Sequence, residues 1–147
     1  MNMFEAVRTV IEANGTSDPE EILSADGVKI FRLPMSGLRG IYKALHDIPM
    51  VFVDSGLDER QRRFVLAHEL AHHLFHRGLN RVLLERCTFM KTDCYEREAE
   101  LFAACLLCPC PEEYIFEGET VSDLAHRAGF SEDVARLYLK EYQKRYI

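Results

Sequence analysis

No stretch of this chain approaches the roughly 18 consecutive apolar residues that a membrane-spanning helix needs, although 48% of its 147 residues are hydrophobic. Those apolar residues are expected to form a buried core, most simply one domain covering 1–147. Basic charge is not in excess either. With 18 Lys and Arg against 24 Asp and Glu, the formal charge is −6, and a phosphate backbone rewards clustered cations, so direct nucleic-acid binding is not expected. Five cysteines, an odd number, cannot form a fully paired disulfide framework and fit a reducing compartment. Met1-Asn2-Met3-Phe4-Glu5 lacks the basic-then-apolar order of a secretory signal, so a cytoplasmic location is the default expectation. No repeat, low-complexity segment or Gly/Ser/Pro-rich linker divides the chain.

What the chain does have is His68-Glu69-Leu70-Ala71-His72, an H-E-x-x-H segment inside a run expected to be helical from Arg60 to Phe75. Residues four apart share a helix face, so His68 and His72 can present imidazole nitrogens to one metal ion at about 2.0–2.1 Å. Glu69 beside them can act as general base toward water whose pKa the metal lowers toward about 7. Phe64, Val65, Leu66, Ala67, Leu70, Ala71, Leu74 and Phe75 make the rest of this run apolar, which describes a buried helix. Paired histidines there need a partner, and a metal satisfies both.

Catalytic zinc takes three protein ligands and leaves a position open. The extended metzincin motif fails, because Phe75 and Gly78 stand where it needs Gly and His. The next helical run, 95–104, carries Glu96, Glu98 and Glu100. Glu96 and Glu100 share a face by their i,i+4 spacing, whereas Glu98 points away and suits a solvated face. Either Glu96 or Glu100 can therefore complete the site.

From about Gly40 to Pro109 the chain resembles the ImmA/IrrE-type metallopeptidases. The resemblance is carried by Gly40-Ile41-Tyr42, Val51-Phe52-Val53-Asp54-Ser55, Arg63-Phe64-Val65-Leu66-Ala67-His68-Glu69-Leu70-Ala71-His72 with His76 one turn on, and Glu96-x-Glu98-Ala99-Glu100-x-Phe102-Ala103 leading into Leu106-Leu107-Cys108-Pro109. It implies His68, His72 and Glu96 as zinc ligands and Glu69 as the base. The chain departs from the family's pattern at Glu100, often Asn or Asp, and at Cys108, often Met. Glu100 and His76 then become candidates for orienting a ligand from behind. The resemblance also implies a regulatory substrate, since members are often encoded beside helix-turn-helix repressors that some of them cleave.

The order of elements predicts an α+β, zincin-like fold with a small sheet beside the active-site helix and a helical C-terminal part. A helix is expected over Met3–Ala13, closed by Asn14-Gly15, and a short one from Asp18-Pro19 with Ser17 or Asp18 as cap. Strands are expected over Val28–Leu33, Gly40–Leu45 and Met50–Asp54, with turn residues at 34–37 and 46–49. Ser55 or Asp58 caps the H-E-x-x-H helix and Gly78 ends it. One strand between Gly40 and Asp54 can offer an edge to an extended peptide substrate. Tyr42, His46 and Tyr95 are chemically able to stabilise an oxyanion.

Other features are expected to be structural. His73 sits about 100° around the helix from His72 and reads as a partly exposed surface residue, and His76 lies too far from His68 to share its metal. Cys105, Cys108 and Cys110 form C-x-x-C-x-C, but Cys105 falls within an apolar helical face and Pro109 and Pro111 break the helix around the other two, while Cys87 and Cys94 upstream lack the tight pairing of zinc knuckles, so a second zinc site is not expected. Arg60, Arg62 and Arg63 before the helix, and Arg77, Arg81, Arg86 and Lys91 after it, read as a solvated helix end and loop, with steering of an acidic peptide as the functional alternative. Residues 121–137 have the helix, Gly129 turn and capped helix of a helix-turn-helix within a helical 120–147 subregion, but Glu132 and Asp133 would repel DNA phosphate, so packing against the core is expected. The resulting expectation is a zinc metallopeptidase acting on a protein or peptide. The alternative is a catalytically silent zinc scaffold serving as a regulatory or toxin–antitoxin partner.

Overall fold

The computed structural model describes residues 2–76 and 93–144. Helix α1 (Met3–Asn14) starts where the Asn2 side chain accepts from the Glu5 amide and stops at Gly15, whose φ of 71° is the left-handed geometry that glycine adopts without cost. Helix α2 (Pro19–Ala25) has Asp18 as its cap and Pro19 in its first turn. The sheet follows, with β1 (Lys29–Leu33), β2 (Gly40–Leu45) and β3 (Ile48–Asp54).

Strand order is β1-β3-β2, with β1 parallel and β2 antiparallel to β3. Strand β3 begins two residues before the expected Met50 because His46 and Asp47, at φ 52° and 65°, close a two-residue hairpin whose twist matches the strands, pairing Leu45 directly with Ile48. Pro49 sits inside β3 but before Met50, where the β1 ladder starts, so its missing N–H removes nothing from that pairing. Alternation then sorts the side chains: Val51 and Val53 are fully buried, while the Phe31 and Phe52 rings stack at 5.3 Å on the other face.

Helix α3 (Glu59–Ala71) begins with a reciprocal capping box between Asp58 and Gln61. Of the two expected caps, Asp58 is the one used. The regular α-helix ends at Ala71, and His72–His76 form a π-helical turn instead of the continuous α-helix expected to Phe75. Gly78, the expected end of the helix, lies outside the described residues, as do Arg77, Arg81, Arg86, Cys87 and Lys91. Helix α4 (Asp93–Leu107) packs along α3, with Leu66, Ala67, Leu70 and Ala71 of one meeting a core that contains Ala99, Phe102, Ala103 and Leu106 of the other. Burial of this kind is worth about 2 kcal/mol for each large side chain and positions the two helices that carry the polar site.

A short 3-10 turn, Pro111–Glu113, leads to α5 (Val121–Ala128) and α6 (Glu132–Lys144). The helix-turn-helix-like pair packs on the core as expected. Val134, Ala135 and Tyr138 are buried, the Tyr138 hydroxyl donates to the Cys108 carbonyl at 2.7 Å, and the Met3 amide donates to the buried Glu141 at 2.6 Å. Among the described residues, no helix is long and apolar enough to cross a membrane.

Candidate metal centre

The packing of α3 on α4 brings three metal-ligating side chains to one point. His68 Nε2 lies 2.9 Å from one oxygen of Glu96, His72 Nε2 lies 3.0 Å from the other, and the two Nε2 atoms are 3.2 Å apart. Donors around a tetrahedral ion with bonds of about 2.0–2.1 Å are themselves about 3.3 Å apart, so the spacing suits such an ion. Hydrogen bonding alone serves it poorly. Each Nε2 carries at most one proton, yet each faces both the other imidazole and the shared carboxylate. Among the described residues, these three are the one group of His, Cys, Asp or Glu side chains placed to hold a metal.

Of the two glutamates left open by helical spacing, Glu96 joins this group and Glu100 does not. Glu100 is half-buried one turn further along α4, and its carboxyl is pushed upward chiefly by burial, with His68 pulling it down and Glu96 pushing it up. Glu98 is exposed, as its spacing suggested. The side chain of His76 lies outside the described residues.

Glu69 is buried with 6% of its surface exposed. Burial is the larger cause, and the Glu96 carboxylate the smaller, of a pKa pushed up to about 7. A carboxyl with that affinity can take up and return a proton near neutral pH. Strand β2 reaches Glu69 because residue 40 is glycine. A Cβ there would fall 2.5 Å from Val65 Cγ1 and 3.7 Å from Glu69 Cγ, so any larger residue would force strand and helix apart.

His73 is not the surface residue its position suggested. It is 3% exposed, with Nε2 2.9 Å from the Asp26 carboxylate and Nδ1 2.9 Å from the Tyr42 hydroxyl. Facing a carboxylate, Nε2 carries the ring proton, which leaves Nδ1 to accept from Tyr42. In that tautomer the Tyr42 hydroxyl donates to His73. His46 stands at the hairpin tip, six residues from Gly40 along β2, about 20 Å away by strand rise, so it is remote from Glu69. Tyr95 is half-buried beside Glu96. Sequence reasoning missed Asp26 altogether, since it meets His73 from 47 residues away.

Cys105 and Cys108 are buried, and burial pushes both thiols up, Cys108 to about 11, so neither is a thiolate near neutrality. Cys94 and Cys110 are exposed.

Residues 24–140 match the family model of the IrrE N-terminal-like domain, a peptidase family. The chain is 30% identical over 135 residues to the uncharacterized immunity region protein 2 of Bacillus phage phi105, an alignment covering 90% of this chain and 85% of that protein. It is also 29% identical over 103 residues to the metallopeptidase ImmA of Bacillus subtilis (strain 168), covering 69% of this chain and 60% of that protein.

Proposed function

Because this chain belongs to the IrrE N-terminal-like domain family of peptidases, we propose that it is a zinc-dependent endopeptidase in which His68, His72 and Glu96 hold the metal and Glu69 is the general base. The observation that supports this most directly is the convergence of three ligand atoms beside a buried carboxyl on the same helix. Two imidazoles and one carboxylate are a donor set suited to zinc. Zinc, when bound, supplies Lewis acidity toward water and toward the carbonyl of the scissile bond. Glu69 accepts the proton of the attacking water and returns it to the leaving amine. Among the described residues, strand β2 pairs with β3 on one side only, so its outer edge can hold an extended peptide by backbone hydrogen bonds, starting at Gly40 next to Glu69.

The substrate we favour is a regulatory protein of the helix-turn-helix repressor kind. The name of the phage relative places it in an immunity region, and that of the second relative describes a metallopeptidase; both suit a protease acting on a regulator. The net charge of −6 and the acidic start of α6 argue for a protein partner over nucleic acid.

Elemental analysis of untagged wild-type, His72→Ala and Glu96→Ala protein after dialysis against a weak chelator tests the centre. One zinc per chain, lost from both variants and kept in Glu69→Gln, is the expected result. A wild type without metal would sink the proposal and leave a scaffold that binds without cutting. Coexpression with helix-turn-helix repressors then tests the reaction: wild type should cut one of them and Glu69→Gln should not.

A further inference from the structure

A groove of about 720 Å³ opens between the start of α3, the middle of α4 and the α5–α6 turn. Phe64 and Glu100 both line it. Phe64 precedes His68 by four residues on α3, and Glu100 follows Glu96 by four on α4, so the groove begins one helical turn, about 6 Å, from the point where His68 and Glu96 meet. An extended peptide covers that span in about two residues. Arg39, which also lines the groove, adjoins Gly40 and so ties it to the strand edge beside Glu69.

The charges in this groove are unequally committed. Asp58 caps α3 by accepting from the Gln61 amide at 2.8 Å. Arg127 is held by Glu119 and by the Tyr114 carbonyl. Arg62, from the basic run at the start of α3, faces Glu59 and Glu20 and is spent there. Arg39 and Arg60 have no carboxylate partner among the described residues. Arg60 packs over the Gly129 helix cap, where a Cβ would overlap its Cδ and fall 2.9 Å from Nε. Phe64 and Phe130, with ring centroids 6.2 Å apart, supply apolar surface in the same groove.

We propose that this groove receives an acidic side chain of the substrate on the Gly40 side of the metal, its stem over Phe64 and Phe130 and its carboxylate between Arg39 and Arg60. This rests on the metallopeptidase reading above. Glu100, at the end nearest the metal, disfavours a second carboxylate there and leaves the outer rim as the place for the charge.

The test uses three succinyl-hydroxamate probes, HONH-succinyl-Xaa-Ala-amide with Glu, Gln or Lys as Xaa, titrated calorimetrically into the zinc-loaded full chain. The hydroxamate anchors each probe at the metal without being cleaved. The glutamyl probe should bind about tenfold more tightly than the glutaminyl one and more tightly still than the lysyl one, as expected for a charge-assisted pair. That preference should fall to threefold or less in Arg39→Gln and in Arg60→Gln, with zinc content unchanged. Arg39 is exposed, so its variant reports even if Arg60→Gln folds poorly. Equal binding of the three probes, or a preference that survives both substitutions, would overturn the groove assignment while leaving the metal centre standing. Failure of all three probes and of acetohydroxamate would overturn the metal centre, and this inference with it.

Discussion

His72 and His73 are neighbours in sequence and opposites in environment. His73 turns toward α2 and β2, where a carboxylate and a hydroxyl give each ring nitrogen one partner of the right kind. His72 turns toward α4, where its Nε2 meets another Nε2 and a carboxylate already shared with His68. One face of the helix is satisfied within the protein, and the other gathers three ligand atoms that could hold a metal ion. Burial alone would have ranked them the other way, since His73 is the more deeply enclosed. The distinction that matters is whether the available protons can fill every contact.

Breaking each histidine separately should produce different losses. The largest effect is expected from His72→Ala, which should take zinc from one per chain to none and abolish cleavage while costing the metal-free protein little. His73→Ala should keep the zinc and instead destabilise the fold by about 2–4 kcal/mol, since it empties a buried site and strands two hydrogen-bonding groups. Metal analysis together with urea unfolding of both variants measures this. Zinc lost equally from both would mean that the two faces are not separable.

The Glu69 carboxyl sharpens the comparison through pH. Its folded pKa of about 7 lies above the ordinary glutamate value of 4.5, so the native metal-free protein binds this proton more tightly than the unfolded chain does. The stabilisation is complete below the unfolded pKa and disappears as pH rises through about 7. Metal-free wild type should therefore fall behind metal-free Glu69→Gln by on the order of 2–3 kcal/mol between pH 4.5 and pH 8.5. Urea midpoints across that range report it, and parallel curves for the two proteins would show that Glu69 titrates normally.

The contrast between the two helix faces also marks what could be read from the sequence. His68, Glu69 and His72 were legible because helical periodicity alone places them, and the caps at Asp18 and Asp58 because each acts within three residues of itself. The three strands were legible from their β-branched and aromatic residues, but their order was not: β3 lies between β1 and β2 through a parallel pairing across more than a dozen residues, which local pattern does not encode. By spacing alone the choice of Glu96 over Glu100 needed the register of α3 against α4, since both glutamates share a face; the family resemblance had already implied Glu96. The π turn at His72–His76 carries no residue signature of its own, and it falls where His73 must meet Asp26 and Tyr42.

Gly40 links the two faces, because it lets β2 lie against α3 beside Glu69 while Tyr42, two residues on, reaches His73. Gly40→Ala should cost about 1–3 kcal/mol through the overlap with Val65. Adding Val65→Ala should recover part of that cost, and a double-mutant cycle with no coupling would show that the strand is free to move away.

The smallest effect is expected from Tyr42→Phe. The hydroxyl donates to a buried His73 nitrogen, so removing it leaves one acceptor unfilled at a cost of about 1 kcal/mol. Its proton points to His73, so the rate of cleavage should be almost unchanged, which separates Tyr42 from an oxyanion donor, whose loss costs about a hundredfold or more in kcat. A drop of that size in Tyr42→Phe, at unchanged zinc content, would mean that the hydroxyl turns from His73 to the substrate during the reaction. In that case the satisfied face of the helix would also take part in the chemistry.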